Sequence, residues 1–156
     1  MKLTFIVTGK TTSAEVKAIC DDYRKRINRY TKFEEIVLDN SSIKQADIAK
    51  IKEKEGELIL KKLSPTDYLI LLDDKGKEYT SIQFAKHLEG LFNQSVKNVC
   101  FVVGGAYGFS NEVYQRANAK LSLSKMTFSH QIIRAIFHEQ LYRAFTILRN
   151  EPYHHE

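Results

Sequence analysis

Short runs of apolar, β-branched residues alternate along this chain with segments whose apolar residues recur every three or four positions. That alternation constrains the fold more than any other feature, because each run needs a sheet and each segment a helix face to bury against. Residues 3–8 are the first run, stopped by Gly9. Val16, Ile19, Cys20, Tyr23, Ile27 and Tyr30 follow at helical spacing. A second run covers 33–38 and ends at Asp39-Asn40-Ser41-Ser42. Residues 43–63 carry Ile48, Ile51, Leu58, Ile59 and Leu63 in a largely charged helix closed by Ser64-Pro65. Residues 68–72 and 98–103 are almost unbroken apolar runs, as strands covered on both faces require. A turn is expected at 73–76, a helix at 81–92, and a short helix capped by Ser110 and reaching residue 117. A brief last strand at 121–123, a long helix at 130–149 and a tail at 152–156 complete the chain. The expected architecture is α/β, a mainly parallel sheet flanked by helices. No linker, repeat or low-complexity tract divides it, so a single domain over 1–156 is expected.

Bulk properties narrow the function. The 156 residues, 43% hydrophobic and 28% charged, suit one compact domain. No apolar run approaches the roughly 20 residues that span a bilayer, and MKLTFIVTGK lacks a small-residue cleavage site. No membrane partner is expected. Cys20 and Cys100 have no motif spacing and sit in apolar settings, which points to a reduced, cytoplasmic location. The net charge of +5 favours a polyanionic partner. Lys50, Lys52 and Lys54 are interleaved with Glu53, Glu55 and Glu57, so that stretch is nearly neutral. Arg24, Lys25, Arg26, Arg29 and Lys32 form a purer basic cluster, a candidate nucleic-acid contact as well as a candidate solvated helix face.

Ligands of open α/β sheets bind beyond the carboxyl ends of the strands. Three expected loops fall there: after Leu72, after Val103 and after Leu123. The second is Gly104-Gly105-Ala106-Tyr107-Gly108, which has neither the P-loop ending nor dinucleotide-fingerprint spacing. Its glycines permit positive φ and close backbone approach to a ligand, and equally a tight strand-to-helix turn. The third, LSLSKMTF from Leu121 to Phe128, is too polar for a core strand and too apolar for a flexible loop. Backbone amides with Leu and Met side chains suit an adenosine moiety; Ser129 is also placed to cap the next helix. On that helix Arg134, His138 and Tyr142 recur at i, i+4, i+8, and Glu139 with Arg143 has the spacing of a helix ion pair. The terminal Tyr153-His154-His155-Glu156 lacks any metal-site spacing, and no metal is expected.

The GGAYG loop, LSLSKMTFSHQIIR, EQLYRA and terminal PYH together resemble the ribosomal RNA large-subunit methyltransferase H family, part of the SPOUT (α/β-knot) superfamily. The resemblance runs from MKLTFIVTGK through KEKEGELIL to the last residues. It implies a C-terminal deep trefoil knot, threaded after about residue 99, one of the rare exceptions to unknotted connections. It implies a homodimer that uses S-adenosyl-L-methionine to methylate N3 of a pseudouridine in 23S rRNA within the ribosome. The cofactor positions it implies are Leu72, Gly104, Leu123, Ser124, Lys125, Met126, Thr127 and Phe128. Many members carry proline where this chain has Ser129, and a basic residue where it has His155.

Methylating N3 requires that its proton leave, so a general base or a stabiliser of the uracil anion is needed. His130, Arg134, Tyr153 and His154 are the candidates. Histidine titrates near neutrality and suits proton uptake. Arginine suits a phosphate or a developing anion. Methylation of another RNA nucleotide, as in tRNA, and a non-catalytic RNA-binding module are the rival readings.

Overall fold

The computed structural model describes residues 1–44 and 47–156. Among the described residues ten elements alternate in the expected sense: β1 (Lys2–Thr8), α1 (Ala14–Ile27), β2 (Lys32–Leu38), α2 (Ile48–Lys61), β3 (Tyr68–Glu78), α3 (Ser81–Asn93), β4 (Asn98–Val103), α4 (Asn111–Arg116), β5 (Ala119–Ser122) and α5 (Ile132–Leu148). The described strands form one parallel sheet in the order β2-β1-β4-β3-β5.

Strand alternation divides the core into two layers. Leu3, Phe5, Val7, Ile70, Leu72, Val99, Phe101 and Val103 pack with Phe84 and Leu88 of α3 and Phe137 and Leu141 of α5. Their sequence neighbours Ile6, Leu69, Leu71, Cys100 and Val102 pack on the other face with Ile59 of α2 and Val113 of α4. A residue-by-residue register fixes this assignment, since a one-residue slip would exchange the faces. α5 lies between α1 and α3 on the first face.

Several boundaries differ from expectation: the last strand, expected at 121–123, is Ala119–Ser122, and the last helix, expected at 130–149, is Ile132–Leu148. The helix expected over 43–63 starts at Ile48, where the Asp47 side chain accepts from the amide of Ala49. The part of that expectation on residues 45 and 46 lies outside the described residues. The turn expected at 73–76 does not end β3. Leu72 and Lys77 both pair with Leu121, so the four residues between them loop out and the strand resumes on the far side. The crossing is tight: a Cβ on Gly76 would lie 2.7 Å from backbone atoms of Lys120 and Leu121. No side chain other than hydrogen fits there.

β1 leads to β2 on one side, while β4 and β3 lead toward β5 on the other. The strand order therefore reverses direction between β1 and β4, the place where such sheets open a crevice at their carboxyl edge.

Candidate active site

A cavity of about 640 Å³ opens at that edge, beyond β3, β4 and β5. The three expected loops wall it: 72–75, the glycine loop after Val103, and the segment from Leu121 to His130. Of the sequence-derived cofactor positions, Leu72, Gly104, Leu123, Ser124, Met126, Thr127 and Phe128 line it. Lys125 is exposed and does not.

Each wall has a local reason for its shape. Gly108 sits at φ +84°, and its amide donates to the Gly105 carbonyl at 3.2 Å, closing a tight turn. The serine-rich wall is ordered by its own hydroxyls. Ser122 Oγ donates to the Ser124 carbonyl at 2.8 Å, and Ser124 Oγ accepts from the Met126 amide at 2.9 Å. Met126 itself is 78% exposed. Ser129 Oγ accepts from the Ile132 amide at 3.1 Å, but the last helix starts at Ile132 with Gln131 at its N-cap and no side-chain cap there, so the expected Ser129 cap braces the turn before the helix instead. The first wall contributes Asp73, whose carboxylate accepts from the Tyr114 hydroxyl and, at 2.8 Å, from the Lys75 amide. Burial raises the Asp73 pKa, but these hydrogen bonds outweigh it and the net shift is downward, so the group stays ionised. Sequence reasoning passed over Asp73 and Tyr114; the turn at 73–76 was the only signal for the former.

Behind the glycine loop lies Glu55 of α2, 7% exposed. A Cβ on Gly105 would fall 2.3 Å from its Oε2, so this glycine makes room for a carboxylate behind it as much as for a ligand in front. Burial pushes the Glu55 pKa up, against the Gly105 amide that hydrogen-bonds to it.

The four candidate catalytic residues separate. His130 is exposed and lines the cavity. Arg134 does not, which corrects the expectation that it meets phosphate or a developing anion. It is 0% exposed, and its guanidinium donates to the carbonyls of His130 (3.1 Å), Gly9 (2.9 Å) and Thr8 (3.0 Å) and to Thr11 Oγ1 (3.0 Å). A cation committed to so many fixed acceptors in the interior is a strut between β1 and the start of α5. Tyr153 and His154 also lie away from the cavity of their own chain. The tail folds back on α1 and α5. Tyr153 Oη donates to Glu139 Oε1 at 3.0 Å and lies 3.1 Å from Tyr23 Oη, and Arg143 covers its ring at 4.8 Å. Burial and these partners raise the Tyr153 pKa, so it remains a phenol. Arg143 Nη1 donates to His154 Nδ1 at 3.2 Å. Since arginine only donates, Nδ1 accepts, and the neutral ring carries its proton on Nε2.

The basic cluster is also less free than its spacing suggests. Arg24 pairs with Asp21 and Glu35, and Arg26 with Asp22, while its guanidinium also stacks over Tyr23 and Tyr142. Helical spacing and the neighbouring strand bring in acids that the linear run does not show. Among the described residues no group of three or more His, Cys, Asp or Glu side chains could hold a metal, and no helix is long and apolar enough to cross a membrane.

A parallel α/β sheet with a loop-walled cavity at the switch of strand order is the arrangement of a small-ligand-binding α/β protein. Residues 1–154 match the family described as "Predicted SPOUT methyltransferase", and the chain belongs to that family. Membership brings the C-terminal trefoil knot of that fold. Curated proteins named ribosomal RNA large subunit methyltransferase H are 55% identical in Parabacteroides distasonis and 52% in Flavobacterium johnsoniae, each match covering 100% of both chains. Among solved structures, a probable methylase family protein from Haemophilus influenzae has the same fold, with a TM-score of 0.55 at 11% identity over 99% of this chain and 70% of that one.

Proposed function

We propose that the chain is an rRNA methyltransferase that transfers the methyl of S-adenosyl-L-methionine to N3 of a pseudouridine in 23S rRNA, acting on the assembled 70S ribosome as a cytoplasmic homodimer. The observation that carries this reading is the cavity itself: three ordered loop walls at the carboxyl edge, with an exposed histidine at the rim.

The cavity fits the cofactor. Its volume lies in the range of small-ligand sites. Leu72, Leu123 and Phe128 would supply apolar surface for a purine, and Gly104 and the 123–128 turn would hold it by backbone hydrogen bonds. The ionised Asp73 suits the positive charge of a sulfonium or an ammonium. The cofactor supplies an electrophilic methyl, so the protein's task is to align the acceptor nitrogen and remove its proton. His130 is the group at the cavity rim for that proton.

Tyr153 and His154 reach a cavity only if a second copy brings its tail there. The face that would meet that copy is built from Tyr23, Tyr142, Tyr153, Arg26 and Arg143, half-buried, with the tyrosine rings tilted or edge-on to one another and the two guanidiniums over their faces. Aromatic residues and arginine are enriched at protein interfaces. In this arrangement His154 presents Nε2–H as a donor to a uracil carbonyl, while Tyr153, whose proton is held by Glu139, fixes the tail beside it. The base is His130.

The test is a methylation assay on free 23S rRNA, 50S subunits, 70S ribosomes and tRNA, with the methyl located by mass spectrometry. Methyl on pseudouridine N3 of 70S ribosomes supports the reading. Transfer only to tRNA replaces the substrate. Failure to bind S-adenosyl-L-methionine at micromolar concentration by calorimetry leaves a non-catalytic RNA-binding module.

A further inference from the structure

A second cleft, also about 640 Å³, lies beyond the ends of β1 and β2. Nothing in the mechanism above uses it. It stands on the opposite side of the strand-order switch from the cofactor cavity, on the same edge of the sheet. Resting on the reading just given, we propose that this cleft binds a nucleotide of the substrate RNA next to the target base.

Its chemistry matches a nucleotide. Val37, on the edge strand, is 44% exposed and offers an apolar wall for a base face. The Asn40 side chain lies over Gly9, where a Cβ would stand 3.2 Å from Asn40 Oδ1, and it carries both donors and an acceptor for a base edge. Gly9 at φ +79° turns the chain there. Lys10 is exposed and makes no ion pair within 4 Å among the described residues; its charge acts at longer range on Asp39 and is open to a phosphate. The Asp39 carboxylate accepts from the Ser41 amide, at 2.9 Å, and from the Ser41 side chain, and its remaining lone pairs suit a ribose hydroxyl, the group that separates RNA from DNA.

The two cavities are mechanically joined. His130 lines the first, and Arg134 ties its carbonyl to those of Thr8 and Gly9. Gln131, the next residue, donates from Nε2 to the Lys10 carbonyl at 3.1 Å and accepts from the Thr12 amide at 2.9 Å. One partition thus carries His130 on one side and the floor of the second cleft on the other. β1 and β4 are direct neighbours, so the cleft stands only about 10 Å, two strand spacings, from the cofactor side. A strand delivering its base to His130 passes its neighbouring nucleotide over Lys10 and Asn40.

The experiment compares wild-type protein with Lys10→Ala, Lys10→Arg and Asn40→Ala, using 70S ribosomes as substrate at several salt concentrations. Lys10→Ala is expected to raise the KM for ribosomes about tenfold, as loss of a charge-assisted hydrogen bond does. It should leave kcat and the dissociation constant for S-adenosyl-L-methionine within about twofold, and make the slope of log affinity against log salt shallower by about 0.7. Lys10→Arg should restore both values. Asn40→Ala should raise KM without changing the salt slope. An unchanged KM and slope in Lys10→Ala overturns the proposal, and so does a parallel loss of cofactor affinity, which would assign the residue to the first cavity. A wild-type protein that methylates no RNA fails before any variant is compared, and removes the underlying reading instead.

Discussion

The carboxylate of Glu55 occupies the space that a side chain on Gly105 would need, with Oε2 2.3 Å from the ideal Cβ position. Helix α2 thus braces the glycine wall of the cavity from behind. Gly105→Ala should displace either the loop or the helix and weaken S-adenosyl-L-methionine binding at least tenfold, read by calorimetry. Binding at wild-type affinity would show that the brace does not shape the site. Glu55 ionises reluctantly, because burial raises its pKa. A raised folded-state pKa contributes stability at low pH that is lost as pH rises through it. Glu55→Gln should therefore stabilise the protein relative to wild type at pH 7 more than at pH 4, measured by thermal unfolding.

Arg134 links residues that are more than 120 positions apart in sequence. Arg134→Leu would leave the Thr8 and Gly9 carbonyls buried without donors. A loss of about 3 kcal/mol in unfolding free energy is expected by urea denaturation. Arg134→Lys, with a single ammonium for several acceptors, should recover only part of it. A stable Arg134→Leu protein with reduced activity alone would return this residue to the chemistry.

His138 is fully buried between Phe5 and Phe33, with Nδ1 2.6 Å from the Arg134 carbonyl and Nε2 3.6 Å from Glu35 Oε2. Burial pulls its pKa down to about 4. Below about pH 6.5 the unfolded chain takes up a proton on this ring, and the folded chain does not until about pH 4. Stability should therefore fall by up to about 3 kcal/mol across that window. Glu35, whose pKa is raised chiefly by burial against the pull of Arg24 and Arg134, works in the opposite direction. The contribution of His138 is the difference between wild type and His138→Leu: their stability curves should converge toward pH 4. Parallel curves would refute it.

The tail and the cavity can be tested for membership of different chains. If the chain pairs as proposed, co-expressed His130→Ala and His154→Ala proteins should form mixed dimers with one intact site. If a second copy supplies His154, the mixture should recover about one quarter of wild-type methyl transfer, although neither variant alone is active. Recovery of nothing would place both histidines in the site of a single chain.

Strands, most helices and all three cavity walls are legible from residue patterns, because burial against a sheet writes a local period into the chain. Two misreadings share a cause. Asp73-Asp74-Lys75-Gly76 has turn composition, yet β3 resumes at Lys77 because Leu121 on another strand supplies a partner for both Leu72 and Lys77. Arg134 has the look of a surface cation on a polar helix stripe, yet carbonyls from the end of β1 surround it. Nothing within ten residues of either position records those partners.

The sequence by itself determined the alternation of elements, the two-faced strands, the position of the three loops and, through its resemblance, the family. Only the tertiary structure decided which chemistry-bearing residues share a space: His130 with the cavity, Arg134 with β1, Glu55 with Gly105, and the tail with α1 and α5. Periodicity reports whether a residue is buried, since burial repeats along one element. It carries no record of what the residue is buried against, because that partner arrives through the crossing of distant segments.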